Sequence, residues 1–308
     1  MIKNKKLFGT VILLIGTAIW GFAFAFQREA MDVIGPFTFG GARMSLAAIV
    51  TWCVALGADA AAKKRGGPEK PAEYKRNTVT GGLLCGLALM AATTSQQIGL
   101  IYTQAGKAGF LTALYIVLVP LISMVFLGKR YGWTTFAGII LGAAGLYFLS
   151  ISGGLTITAG DALVILCALC FAVQILLIDR FVAKADALKM AAWEFTVCTV
   201  VSWVLAFIKE TPTAEQLSAA LVGILYCGVL SGGMGYTIQM ISQKYVDPAA
   251  ASLLMSFEAV FAVLGGVLML GESLSVREII GCILMFAAVI IVQMPSSFGR
   301  KKGPENER

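Results

Sequence analysis

The chain has 308 residues, of which 58% are apolar and 13% charged, with a mean hydropathy of +0.84. A soluble domain averages about 45–50% apolar and about 25% charged. The composition therefore exceeds what a soluble core can hide, and it is the reverse of a disordered chain. The net charge of +7 comes from basic residues in short loops beside apolar runs, which is a membrane topology signal and not a nucleic-acid surface.

Ten apolar runs approach the roughly 20 residues that a membrane helix needs. They cover 7–27, 35–57, 79–98, 104–127, 134–152, 160–178, 189–208, 217–238, 247–270 and 275–294. The first follows Lys3, Lys5 and Lys6 and contains Ala23-Phe24-Ala25, the outline of a signal peptide. Its run is longer than a signal peptide's apolar region, and Phe22, Phe24 and Phe26 crowd the cleavage position, so we read it as a span. Between the second and third runs, 58–78 is the only long connection. The tail 295–308 is polar and expected to be disordered and cytoplasmic.

Lysine and arginine set the orientation. Of the 24 basic residues, 19 lie at the N-terminus, at the C-terminus or in the loops after spans 2, 4, 6 and 8. The opposite loops carry only Arg28, Lys107, Lys209 and Arg277, and Arg43 lies within a span. Both termini are therefore expected in the cytoplasm, with the protein integral to the plasma (inner) membrane.

Residues 94–148 align without a gap on 237–291, at an offset of 143, with 14 of 55 positions identical. The matches include Thr94/Thr237, Gln96/Gln239, Tyr102/Tyr245, Ala108/Ala251, Gly128/Gly271 and Gly138/Gly281. The offset pairs span 4 with span 9 and span 5 with span 10, which predicts two five-span units, 1–152 and 153–294. Five is odd, so the second unit enters the membrane inverted, as in secondary transporters that work by alternating access. The expected fold is an all-α membrane protein of ten transmembrane helices in two inverted five-helix repeats. The substrate is expected near the midplane, between the halves.

The order of short motifs then resembles a known family. Span 1 reads Ile19-Trp20-Gly21-Phe22-Ala23-Phe24. Pro36 and Arg43 mark span 2, and Ala108-Gly109-Phe110-Leu111-Thr112-Ala113-Leu114-Tyr115 leads to Val119-Pro120-Leu121. Gly160-Asp161-Ala162-Leu163 opens span 6. Ser256-Phe257-Glu258-Ala259-Val260-Phe261-Ala262 and Leu270-Gly271-Glu272-Ser273-Leu274-Ser275 follow. The chain resembles the drug/metabolite transporter superfamily, in its ten-helix EamA-like branch. Two positions depart from that pattern: Ala259 stands where the family often has proline, and the first-half Leu-Gly-Glu turn reads Leu127-Gly128-Lys129. The resemblance implies a transporter of small organic molecules.

A charge in hydrocarbon costs about 2.5–3.5 kcal/mol on insertion scales, so it usually faces a cavity or a partner. Arg43 sits seven residues inside Pro36, or roughly 10 Å at 1.5 Å per residue. Glu258 is near the middle of span 9. It reads either as a substrate contact or proton carrier, or as a structural carboxylate pairing with a neighbouring helix. Arg43 reads as a helix lock or a substrate contact, and its depth allows a contact with Glu258. Glu194, near the cytoplasmic end of span 7, is expected to snorkel to the interface. Gln96, Gln97, Gln174, Gln239 and Tyr236 are candidates for hydrogen-bonding a substrate or a neighbouring helix. Trp20 and Tyr115 are candidates to line an apolar cavity, with lipid contact as the alternative. The substrate-binding set is thus Glu258, Arg43, Trp20, Gln96, Tyr115, Gln174, Tyr236 and Gln239.

The absence of histidine excludes Ser-His-Asp and Cys-His nucleophiles, the usual zinc sites and histidine relays. No phosphate-binding Gly-x-x-x-x-Gly-Lys-[Ser/Thr] loop occurs, which argues against ATP drive within the chain. Neither catalytic residues, nor a metal, nor a cofactor is expected. Cys167 and Cys170 form a C-x-x-C, read as two small apolar residues one helical turn apart. Gly82/Gly86, Gly138/Gly142 and Gly228/Gly232 form stripes that suit close helix packing. The expected function is secondary transport of small organic solutes, as an exporter of amino acids or related metabolites. The alternatives are a cationic drug efflux pump and a membrane-bound transferase. Expected partners are a small-molecule substrate, the lipid bilayer and, as a coupling ion, protons. The chain is expected to be a monomer or weak homodimer.

Overall fold

A computed structural model describes residues 2–66, 70–102, 105–150, 158–270 and 275–294. The tail 295–308, residues 271–274 of the Leu-Gly-Glu motif and the side chains of Phe24, Arg28 and Lys107 lie outside the described residues. Among those described, every regular element is a helix and no strand occurs.

In chain order the helices begin with α1 (Ile2–Met31), α2 (Pro36–Lys64), α3 (Ala72–Tyr102), α4 (Ala105–Thr112), α5 (Tyr115–Leu127) and α6 (Trp133–Ser150). They continue with α7 (Ala159–Val182), α8 (Ala187–Lys209), α9 (Ala214–Ala219), α10 (Leu221–Leu225), a π-helical stretch (Tyr226–Tyr236), α11 (Thr237–Ser242), α12 (Pro248–Met255), α13 (Glu258–Leu270) and α14 (Val276–Gln293). Nine stretches among the described residues are long and apolar enough to cross a membrane. The tenth predicted span corresponds to α14, which is not among those nine and packs lengthwise on α6.

Two sequence expectations change here. The connection 58–78 is largely helical, because α2 runs on to Lys64 and α3 begins at Ala72. Alanine-rich and charged residues extend both helices beyond the apolar runs, since helix propensity does not require hydrophobicity. The eighth span is also not a plain α-helix. Its glycine-rich middle is the eleven-residue π-helical stretch.

Local chemistry fixes the helix starts. Thr158 with Asp161, and Ser275 with Glu278, form capping boxes on α7 and α14. Asp247 caps α12 ahead of Pro248. The start of α2 is different, because Gly35 has no side chain to offer. The Glu210 carboxylate, from the end of α8, accepts instead from the backbone N–H groups of Phe37 (2.9 Å) and Thr38 (2.8 Å) and from the Thr38 hydroxyl (2.6 Å). Glu210→Ala should therefore lower thermal stability by about 1–3 kcal/mol, the range for lost caps and hydrogen bonds to charged groups. A melt in detergent, with Glu215→Ala as the exposed control, measures it.

The outer surface is apolar: Phe126, Leu268 and Phe207 are 78%, 75% and 70% exposed. Polar side chains such as Arg43, Gln174, Glu194 and Gln239 are buried. That distribution suits lipid outside and a polar interior. The glycine stripes sit at helix crossings. Gly82 and Gly86 face Trp193 and Val197 of α8, and Gly228 and Gly232 face Leu46 and Ala47 of α2. Gly145 of α6 and Gly281 of α14 meet backbone to backbone. Cys167 is buried and Cys170 half-buried, both as free thiols.

The duplicated region shows the same boundaries twice. α4, α5 and α6 begin and end 143 residues before α12, α13 and α14, at every boundary. In each copy the helix breaks at the same place, after Thr112 and after Met255, and restarts at Tyr115 and at Glu258. The breaks are tightened turns: Leu114 N–H donates to the Leu111 carbonyl, and Phe257 N–H to that of Leu254, each at 3.2 Å. Pro120 lies within α5, and its ring leaves the Ile116 carbonyl without an i+4 donor. The second break forms without a proline at 259, where the Ala259 N–H donates to the Ser256 carbonyl at 3.2 Å.

Candidate functional site

The helix breaks open onto a cavity with about 740 Å³ of space free of protein atoms, its mouth included. All eight side chains of the sequence-derived set line it. Trp20 comes from α1, Arg43 from α2, Gln96 from α3, Tyr115 from the start of α5 and Gln174 from α7. Tyr236 ends the π-helical stretch, Gln239 follows on α11, and Glu258 opens α13. Gln97 is buried beside a smaller cavity that shares Arg43, Met44 and Thr93 with the first.

The repeat partners Tyr115 and Glu258 touch, with the Tyr115 hydroxyl donating to Glu258 Oε1 at 3.4 Å. The duplicated breaks thus place a phenol and a carboxylate side by side. Gln96 of α3 donates to the hydroxyl of Thr112, the last residue of α4, at 3.2 Å. Trp20 donates through Nε1 to the Ser231 carbonyl at 3.0 Å, and its ring lies 4.9 Å from that of Tyr236. Both aromatic residues therefore belong to the cavity wall and not to the lipid face. Phe171 packs edge-on against Tyr115, with ring centroids 6.3 Å apart.

Arg43 is 7% exposed. One terminal nitrogen donates to Gln27 Oε1 at 2.7 Å, the guanidinium lies 5.3 Å from the Phe39 ring centroid, and Nε has no partner. Among the described residues no carboxylate pairs with it, and the ion pairs are Lys129–Asp179 and Lys189–Asp59. The Arg43–Glu258 contact that the depths allow is thus not made, and the two opposite charges face one cavity unpaired.

Glu194 needs correction. It does not snorkel to an interface but is wholly buried inside the bundle, accepting from Gln174 Nε2 at 2.8 Å. Counting residues from a helix end gives depth along the membrane normal. It carries no information on which face of α8 packs against α2 and α3.

Sequence reasoning missed Gln27, Thr93, Thr112, Phe171 and Ser231 among the lining residues. Gln27 ends the first apolar run and reads as a boundary residue. The threonines and Ser231 are small polar residues of a kind common throughout membrane helices.

A helical bundle with an apolar exterior, enclosing a cavity lined by both polar and aromatic side chains, defines an integral membrane protein. The chain belongs to the EamA-like transporter family, whose pattern matches residues 7–151 and again residues 158–294. It is similar to an uncharacterized transporter of Archaeoglobus fulgidus, 29% identical over 94% of this chain and 87% of that protein. The Bacillus subtilis uncharacterized transporter YoaV is 24% identical over 93% of this chain and 96% of its own length. A probable terminal-alkyne amino-acid exporter of Streptantibioticus cattleyicolor is 25% identical over 97% of both chains. One solved crystal structure shares the fold with a TM-score of 0.73, at 19% identity, over 92% of this chain and 96% of that one.

Proposed function

We propose that the protein is a secondary transporter, and not an enzyme, that exports amino acids or related metabolites by alternating access. The observation that carries this reading is the pair Arg43 and Glu258, opposite charges on one cavity that do not neutralise each other. An α-amino acid carries both complementary charges. Its carboxylate suits the guanidinium, which recognises carboxylates with a planar fork of donors, and its ammonium suits Glu258. Gln96, Gln174 and Gln239 offer amides to the rest of the molecule, while Trp20, Tyr115 and Phe171 suit an apolar side chain. Arg43 disfavours a cationic drug as cargo, because like charge would repel it. The relative named as a probable amino-acid exporter supports the same reading.

Two inverted five-helix units, 1–152 and 153–294, supply the alternation in this reading. Repeated boundaries at an offset of 143 and the two family matches support the duplication. The odd span count supplies the inversion. Both termini and the tail 295–308 then face the cytoplasm, with the chain in the plasma (inner) membrane as a monomer or weak homodimer. Orientation has a direct check. In a variant cleared of native cysteines, a single cysteine at Lys107 should react with an impermeant maleimide in whole cells, and one at Lys70 should not. The opposite pattern would overturn the orientation.

Counterflow into proteoliposomes tests the cargo. Radiolabelled amino acids should show saturable exchange, and the matching decarboxylated amines and deaminated acids should compete far less well. Exchange of cationic dyes without exchange of any amino acid would overturn the proposal.

A further inference from the structure

Glu194 is the one wholly buried acid outside the cavity lining whose second oxygen has nothing to bond among the described residues. It is 0% exposed, Oε1 accepts from Gln174, and Oε2 is buried without a partner. No lysine or arginine nitrogen among the described residues lies within ion-pair distance of it. Cys85 faces it from α3, Tyr236 from the π-helical stretch and Cys198 from its own helix. Gln174 faces it from α7. Arg43 on α2 does not pair with Glu194 among the described residues. An ionised carboxylate there would hold a full charge on one hydrogen bond, away from water and from any counter-charge among the described residues. A neutral acid leaves only one hydroxyl unsatisfied, a smaller penalty. The second is the cheaper state of this packing.

A directed chain of amides links this acid to the cavity. Gln239 Nε2 donates to Gln174 Oε1 at 3.2 Å and to Gln243 Oε1 at 3.3 Å, and Gln174 Nε2 donates to Glu194. Gln243 closes the chain on the Ile175 carbonyl at 3.0 Å. Gln174 and Gln239 line the cavity, whereas Glu194 stands one side chain behind them. We propose that Glu194 is a proton-binding site, occupied in this conformation, and that Gln174 and Gln239 tie its occupancy to the state of the cavity. Loss of the proton to water leaves a carboxylate that this packing does not compensate. The ionised form therefore favours a conformation in which water or a cation reaches α8. Protonation returns the bundle to the closed packing. The proposal deepens the transport reading by dividing the labour: Glu258 meets the cargo and Glu194 carries the proton that a gradient supplies.

Infrared spectroscopy on the full chain in lipid, without any cargo, tests the site independently of what is transported. Wild type at neutral pH should show the carbonyl stretch of a protonated carboxylic acid, which shifts in D2O and fades reversibly as the pH is raised. Glu194→Gln should remove the component of that band that survives in Glu258→Gln. Gln174→Leu deletes the amide that holds the acid's carbonyl, so the band should move to higher frequency even if Glu194→Gln folds poorly. A wild type with no such band, a band untouched by Glu194→Gln, or one that neither titrates nor exchanges would overturn the proposal. Failure of the amino-acid counterflow above would leave this band unchanged, so the two readings fail separately.

Discussion

Arg43→Gln should abolish recognition of the cargo carboxylate while leaving the empty protein as stable as before. Breaking a buried ion pair by removing one partner costs about 3–5 kcal/mol, because the other charge is stranded. Among the described residues Arg43 has no such partner, only Gln27 at 2.7 Å and an orphaned Nε, so its removal strands no opposite charge. Binding is different. Losing one member of a hydrogen-bonded charge pair costs about 2–5 kcal/mol, roughly thirtyfold to several thousandfold in affinity. Exchange of amino acids should fall by that factor, while a competing amine that lacks the carboxylate should bind as well as before or better. Glu258→Gln should do the reverse, weakening amines and sparing deaminated acids. A large drop in melting temperature for Arg43→Gln would instead make the arginine a helix lock.

Gly145→Leu should cause a large loss of stability at the α6–α14 crossing. A Cβ at this position would lie 2.8 Å from Met285 Cγ and 2.9 Å from the Gly281 carbonyl oxygen, and one at Gly281 would lie 2.9 Å from the Gly145 carbonyl oxygen. The second contact in each case is backbone, which cannot swing aside. Overpacking costs about 1–3 kcal/mol when side chains can shift, and more is expected where two backbones must separate. The melt of Gly145→Leu should fall well below that of Gly145→Ala, and both below wild type. Gly57→Leu, whose added Cβ would meet nothing within 4 Å, should melt with wild type. A Gly145→Leu protein as stable as wild type would falsify the close crossing.

Much of this arrangement was legible in the sequence because duplication writes each structural decision twice. The offset of 143 aligns Tyr115 with Glu258 and Gln96 with Gln239, and all four line one cavity. Polar residues in an apolar run announce themselves by their cost in lipid, which is why Arg43, Gln174 and Tyr236 were found. Depth was the weaker guide. Glu194 lies close to a helix end in sequence yet at the centre of a three-helix contact, since lateral burial depends on which helices are neighbours. The helical extensions of α2 and α3 beyond the apolar runs were missed for a related reason. Hydropathy reports the solvent that a helix crosses and not the length over which its backbone stays coiled.

The π-helical stretch Tyr226–Tyr236 has a consequence for the helix's phase. Consecutive residues of an α-helix are turned by about 100° about the axis, and widened turns of this kind act as local bulges within α-helices, often at functional sites. The stretch ends at Tyr236, with Gln239 three residues further on, so both inherit whatever angular offset it accumulates. Within it the Ser231 carbonyl accepts from the Trp20 indole, and Gly235 admits that ring where a Cβ would stand 2.5 Å from Nε1. Regularising the coil to α geometry would swing Tyr236 and Gln239 around the axis together, away from Glu258 and Gln174. The winding of eleven residues thus acts as an angular adjustment that aims two wall groups without altering either of them, and a change in chain length there would be felt farther along than any substitution.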